Sequence, residues 1–492
     1  MKIAVTMIVA LRMVLGTVLA PTPGVAAETL PEAASGEASR PHIVLVMADD
    51  QGWGDMGYQG HPVVQTPRLD AAARNGLRFD RFYAAAPVCS PTRGSVLTGR
   101  HPNRYGVFQW GYPLRPQETT IAEVLGHAGY ATAHFGKWHL GSVRRASPVH
   151  PGQQGFDYWL SAPNFFDNDP VLSLMGRAVP LIGESSEVTA QAAIDWMRKA
   201  VNEPRPMLVV VWFGSPHAPH KGAFRDRSLY ASQPEKLRDF YAEVTGIDRA
   251  FGQLQDALQE LGIAQQTLLW YGSDNGALPG VGSAGEFRGK KGEVYDGGLL
   301  VPAVMQWPAR IAAARTTSLR CNTCDIFPTL LDAAGIRADP ARPLDGVSLL
   351  PVIDGRADMT QRPQPMGFWD YAAKGILTPS DQWMQELWEA QQAGHDLEPD
   401  EPSQQAAKLP SPPYPLDKFP GHAAWIDGDW KLHRIEDPAG LHWELYDLAH
   451  DPGEQTDLAK LQPLRTRFMR EALEEWLRSV TNSLNGGDYA AD

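Results

Sequence analysis

The sequence predicts an α/β fold in which a mainly parallel sheet lies between helices, followed by a smaller C-terminal unit of antiparallel sheet and helix. Three observations carry this. Continuous apolar runs such as HIVLVMA at 42–48 end abruptly in polar residues, as strands buried on both faces do. Such runs alternate with segments of helical periodicity, the pattern of strands joined by crossover helices. Near the end, AAWIDGDWKLHRI places two alternating segments around Asp427-Gly428, a hairpin signal.

Taken in order, residues 42–48 form the first strand, which runs into Asp49-Asp50-Gln51-Gly52. A helix is expected over 119–128, an extended segment over 130–135, and a helix over 188–200. A strand over 206–213 then runs into SPHAPH. The next cycle is a helix over 241–261 and a strand over 266–271 that runs into SDNG. In parallel sheets of this kind ligands bind beyond the carboxyl ends of the strands, which assigns Asp49, His217 and Asp274 to one sheet edge. Gly94, after CSPTR, reads as the opening of another helix. These elements make up one large domain at 41–355. Residues 356–420 are rich in Pro, Gln and Asp and read as an irregular insertion with one helix at 380–392. A small subdomain, 421–492, adds a strand over 443–448 and a helix over 461–480 to the hairpin.

The N-terminus has its own character. Lys2, an apolar run to Ala20 interrupted by Arg12, and small residues at 24–27 read as a signal peptide over 1–27 followed by a flexible leader over 28–40. A charge within the only long apolar run disfavours a lasting anchor. The protein is therefore expected in the periplasm or outside the cell, with no stable membrane span after cleavage. The 492 residues include 44 Lys plus Arg and 57 Asp plus Glu, for a formal charge of −13. Without a block of cations this argues against nucleic acid as a partner. Three cysteines are too few for a disulfide framework. Cys321 and Cys324 leave a local disulfide open, although CDIFPTLLDAAG reads as a packed helix and favours a structural role.

Asp49, Asp50, Asp274 and Asn275 are short oxygen donors at strand ends with no softer ligand beside them, which favours Ca²⁺ or Mg²⁺ over zinc. Each pair alone reads more readily as turn or cap residues, and only their joint occurrence points to a metal. Cys89 lies in CSPTRGSVLTGR, where Pro91 restrains the chain, Arg93 adds a fixed cation and a helix start suits an anion. A buried, inert thiol is the other reading of Cys89.

Cys89-Ser90-Pro91-Thr92-Arg93 with Leu97-Thr98-Gly99-Arg100 resembles the signature of the formylglycine-dependent, type I sulfatases, in which the cysteine is oxidised to an aldehyde. PHIVLVMADDQGWGD, GKWHLG, YGSDNG, KGEVYDGG, DIFPTLLDAAG, LDGVSLLP, DGDWKL and ELYDLAHDPGE follow in that family's order. The chain resembles the branch holding arylsulfatase A and N-acetylgalactosamine-6-sulfatase. The resemblance implies an alkaline-phosphatase-like fold and a maturation enzyme that converts Cys89 to formylglycine (3-oxoalanine). It implies one Ca²⁺ held by Asp49, Asp50, Asp274, Asn275 and the modified Cys89. Arg93 would steady the nucleophile, and Lys137 and Lys291 would bind sulfate oxygens. His217 would bind sulfate and protonate the leaving alcohol, and His139 would take the proton of the remaining hydroxyl. Lys290 competes for the Lys291 role, with the register of KG-x-x-Y-acid-GG favouring Lys291. His220 reads equally as a substrate contact or a loop residue, and Leu300 stands where many relatives carry arginine.

The expected activity is hydrolysis of sulfate monoesters, with sulfated carbohydrates as substrates. A broad arylsulfatase, a phosphate or phosphonate monoester hydrolase of the same superfamily, and a non-catalytic sulfated-glycan-binding protein are the alternatives. Trp369, Trp383 and Trp388, within the excursion, either stack on sugar faces or build a small local core. The excursion itself is expected to shape the substrate cleft.

Overall fold

The computed structural model describes residues 40–337, 342–356 and 361–489. The expected signal peptide, and all of the expected leader but Arg40, lie outside them.

Fifteen strands occur among the described residues. They are β1 (His42–Ala48), β2 (Leu77–Tyr83), β3 (Ala131–Lys137), β4 (Tyr158–Ala162), β5 (Val171–Leu174), β6 (Arg177–Pro180), β7 (Met207–Trp212), β8 (Thr267–Ser273), β9 (Leu300–Gln306), β10 (Arg315–Thr317), β11 (Cys321–Asn322), β12 (Met366–Tyr371), β13 (Gly421–Asp427), β14 (Trp430–Asp437) and β15 (Gly440–Asp447). The large sheet runs β10-β2-β9-β8-β1-β7-β3-β4-β5-β6, with β11 also on β2. Its centre is parallel: β1 pairs with β7 and β8, and β3 with β7 and β4. β9 runs antiparallel between β2 and β8, and β5 and β6 close the far edge antiparallel.

The apolar runs of the sequence are apolar because both faces of this sheet are covered. Ile43, Leu45 and Met47 point to one core with Leu208, Val210 and Trp212, where the helices Ile121–His127 and Ile326–Ala333 also pack. Val44, Val46 and Ala48 point to the other, against the helices Ser185–Ala200 and Glu235–Glu260. At about 25 cal/mol per Å² of apolar area removed from water, two such cores dominate the stability.

The small sheet has the order β12-β13-β14-β15, all antiparallel. One face packs on Tyr83, Val294, Leu299 and Leu300, the other on Met469, Leu473, Leu477 and Val480 of the helix Pro463–Leu484. Leu300 is thus a fully buried contact between the two sheets.

The segment 356–420 departs from the irregular insertion expected. The helix Ser380–Gln392 is present, but residues 366–371 form β12 and pair with β13, so the small sheet draws on both sides of the proposed boundary. Trp369 is 1% exposed in the small core, and Trp388 packs on the large one. Met384 and Leu387 are also core residues, so this helix is an integral part of the fold. Cys321 and Cys324 are both buried and unpaired.

Candidate functional site

Four neighbouring strands, β8, β1, β7 and β3, are parallel, so their carboxyl ends meet at one place. Asp49 and Asp50 follow β1, His217 follows β7, Lys137 and His139 end or follow β3, and Asp274 and Asn275 follow β8. Non-glycine residues with positive φ mark the strand ends: Asp50 has φ 74° and His139 φ 54°. Such a backbone conformation costs of order 1 kcal/mol and persists where surrounding contacts impose it.

Cys89 is brought to this edge by a helix over Cys89–Thr98 in which every residue is buried. Its start corrects the expectation of an opening at Gly94. Pro91 sits in the first turn, where a backbone N–H has no intrahelical partner, so it does not interrupt the helix. Gly94 instead serves close packing, since a Cβ there would lie 2.6 Å from the Tyr105 hydroxyl.

The residues assigned to catalysis, sulfate binding and the metal fall in one cluster. Lys137 Nζ lies 2.6 Å from Asp49 Oδ2, and Arg93 Nη2 lies 2.6 Å from Asp274 Oδ2 and 3.4 Å from Asp49 Oδ1. Lys291 Nζ lies 2.5 Å from Asp50 Oδ1, which also accepts from Asn275 Nδ2 at 2.9 Å. His217 Nε2 is 3.6 Å from Asp50 Oδ2. Asp49, Asp50, Arg93, Lys137, Asp274 and Asn275 are all 0% exposed. Lys290, by contrast, is exposed and reaches toward Glu293, while His220 bonds Glu243 at 3.1 Å.

The electrostatics are unusual for a protein interior. Three carboxylates face three cations, and buried pairs of this kind rarely stabilise a fold, because desolvation offsets their attraction. Burial pushes the Asp49 carboxyl up to about 8 despite Lys137. Burial acts the same way on Asp50, but Lys291, His217 and Lys137 outweigh it and hold that carboxyl below the usual range. Burial raises the Cys89 thiol, lowers His139 well below its usual value, and pushes His217 down to about 3.

The cluster fits a hard cation. Asp49 Oδ1, Asp50 Oδ2 and Asn275 Oδ1 are buried without a hydrogen-bond partner among the described residues, each such atom costing about 1–3 kcal/mol. Ligand atoms of Asp49, Cys89 and Asp274 lie within 4.8 Å of one another. An oxygen-rich set of this kind suits Ca²⁺ or Mg²⁺.

The small sheet reaches the site indirectly. Lys431 Nζ bonds Val294 O at 2.9 Å and Asp296 Oδ1 at 2.6 Å, and lies 3.0 Å from Glu454 Oε1. This buried network clamps the segment that follows Lys291.

Cys89, His139, His217 and Lys291 open into a cavity of about 460 Å³ whose remaining wall includes Trp110, Asn164, Phe165 and Leu377. None of these four stood out in the sequence. The Phe165 ring stacks on His217 at 4.0 Å, and Trp212 lies under Arg93, 5.2 Å from the guanidinium carbon. An aromatic residue in a loop carries no periodic or motif signal that would distinguish it from core.

A mainly parallel sheet that gathers carboxylates, fixed cations and a helix-borne cysteine at its carboxyl edge defines a hydrolase of small tetrahedral anionic esters. The chain belongs to the sulfatase family, whose model matches residues 41–336, and it is a sulfuric ester hydrolase. It is 34% identical over 372 residues to the N-acetylgalactosamine-6-sulfatase of Canis lupus familiaris, covering 67% of this chain and 69% of that one. It is 32% identical over 391 residues to arylsulfatase G of Rattus norvegicus, covering 67% and 72%. Among solved structures, that of Ps i-CgsB in complex with k-i-k-neocarrahexaose superposes with a TM-score of 0.75 at 22% identity, covering 89% of this chain and 93% of that one. The fold is alkaline-phosphatase-like with a second, antiparallel sheet.

Proposed function

We propose that the protein hydrolyses sulfate monoesters of carbohydrates with a formylglycine made from Cys89 and a Ca²⁺ ion held by Asp49, Asp50, Asp274 and Asn275. The observation that carries this reading is the set of unpartnered, buried carboxylate and amide oxygens beside Cys89, ringed by Arg93, Lys137 and Lys291. With all three carboxylates ionised against three cations, a divalent ion would leave net positive charge for an ester monoanion. Once formed, the hydrated aldehyde would offer two hydroxyls on one carbon, one as nucleophile and one whose deprotonation would release sulfate, and a Ca²⁺ held by these residues would offset charge on oxygen.

Lys137 and Lys291 hold sulfate oxygens and stabilise the charge that grows there as the ester bond breaks. Arg93, fixed by Asp274, holds the nucleophile end in place. His139 has both ring nitrogens unpartnered among the described residues and is kept neutral by burial, the state in which it accepts a proton. His217 is neutral in the same surroundings, and an anion bound beside it favours the imidazolium, so substrate loading readies it to protonate the leaving alcohol. The kinship to a sulfatase named for N-acetylgalactosamine supports a carbohydrate alcohol.

Cys89 is 1% exposed, so the maturation enzyme must meet it before this helix is packed. The N-terminal signal supports export to the periplasm or beyond. No helix among the described residues is long and apolar enough to cross a membrane.

The test uses protein with converted Cys89 and compares 4-nitrophenyl sulfate with 4-nitrophenyl phosphate. Sulfate hydrolysis is expected to be the faster. A chelator should abolish it and lower the thermal midpoint, and added Ca²⁺ should restore both, because an ion bound only by the folded state stabilises it. Preferred phosphate hydrolysis, or a midpoint indifferent to Ca²⁺, contradicts the reading.

A further inference from the structure

The cavity above Cys89 has an outer wall that the chemistry just described leaves unused. Leu377 is 74% exposed and Trp110 37% exposed, and both line the cavity with Phe165. Apolar surface left open at a reacting centre marks a binding face.

This wall is built, and it is tied to the nucleophile. Gly111 N donates to Ser90 Oγ at 2.8 Å, one residue from Cys89. Ile376 N donates to Trp110 O at 2.9 Å. A Cβ on Gly111 would come 2.0 Å from Ile376 O, and one on Gly375 2.0 Å from the Trp110 indole, so 375–377 presses directly on the Trp110 turn. Asn164 Nδ2 holds Thr378 O at 3.1 Å. Asn164 is itself 7% exposed, and its Oδ1 has no partner among the described residues, which leaves a buried acceptor in the cavity lining.

Charge divides the cavity further. Lys291 and the neighbouring cations lie at the Cys89 end, whereas Asp167 and Asp381 line the same cavity. Lys221 pairs with Asp167, whereas Asp381 has no ion pair among the described residues, so the rim keeps a net negative charge. A positive floor beneath a negative rim favours a ligand with one anionic group, held inward.

We propose that this wall and rim form a leaving-group subsite for a neutral ring with one apolar face, set against Trp110 and Leu377. Asp167 and Asp381 turn away alcohols that carry a second negative charge, such as a carboxylate or another sulfate. The proposal rests on the sulfatase reading and narrows its substrates to singly charged sulfate esters.

The experiment measures kcat/KM for 4-nitrophenyl sulfate and for a ring-carboxylated analogue, in wild type, Asp381→Asn and Asp381→Lys. Comparing the ratio of the two esters between variant and wild type cancels their intrinsic difference in reactivity. The carboxylated-to-plain ratio is expected to rise about fivefold in Asp381→Asn and further in Asp381→Lys. A gain of this kind cannot come from misfolding. Trp110→Ala is expected to raise KM for both esters severalfold while leaving the ratio in place. A ratio that stays flat from Asp to Asn to Lys, with both esters hydrolysed, overturns the subsite. No hydrolysis of either ester by protein with verified aldehyde overturns the sulfatase reading itself, and the subsite with it.

Discussion

Replacing Cys89 by serine is expected to reduce steady-state turnover by roughly 10⁴-fold or more, the scale seen when a nucleophile is lost from a concerted set. The reason is the number of hydroxyls on one carbon. A serine offers one, enough to attack sulfur but not to expel sulfate afterwards without water reaching the sulfur. The variant should therefore stall after one event, and intact-protein mass after incubation with substrate should show a sulfated species. The side chain fits its surroundings, since serine is no larger than cysteine and the helix Cys89–Thr98 is fully buried around it. Unchanged turnover of Cys89→Ser contradicts the nucleophile assignment.

Lys291→Ala is expected to lower kcat/KM by about 10²–10³, the cost of removing one fixed donor from a developing oxyanion. Lys291 Nζ also sits 2.5 Å from Asp50 Oδ1. Its loss strands a buried carboxylate, which costs about 3 kcal/mol where nothing replaces the lysine. Bound Ca²⁺ supplies that replacement, so the thermal midpoint should drop mainly in chelated protein. Lys290→Ala is the internal control. Its ammonium is exposed and 3.9 Å from Glu293, and its loss is expected to change kcat/KM less than about twofold. Equal effects at the two lysines contradict the assignment. The clamp formed by Lys431, Asp296 and Glu454 gives this loop its rigidity and explains why a sheet far along the chain bears on the site.

Much of this was legible in the sequence because the large sheet is buried on both faces. Continuous apolar runs then become unambiguous strands, and each run ends in the polar residues that the site uses. Asp49, His217 and Asp274 could be assigned to one edge because each follows the carboxyl end of a strand in a parallel sheet, with no knowledge of distances. Three features were not legible, each for a physical reason. The helix at Cys89 starts five residues before Gly94, because a proline in the first turn costs nothing there. The strand β12 pairs with β13 across some fifty residues of chain, and a pairing at that range leaves no local pattern. Trp110 and Leu377 line one cavity through contacts between segments far apart in the chain, among them the hydrogen bond from Ile376 N to Trp110 O, so neither stands out in its own segment.

The most direct test of the central claim is the mass of the tryptic peptide 82–93, FYAAAPVCSPTR, from protein exported in the presence of a formylglycine-generating enzyme. The aldehyde form at Cys89 is expected, in a fraction that tracks sulfatase activity across preparations. Full activity in protein whose peptide carries only the unmodified thiol would contradict it.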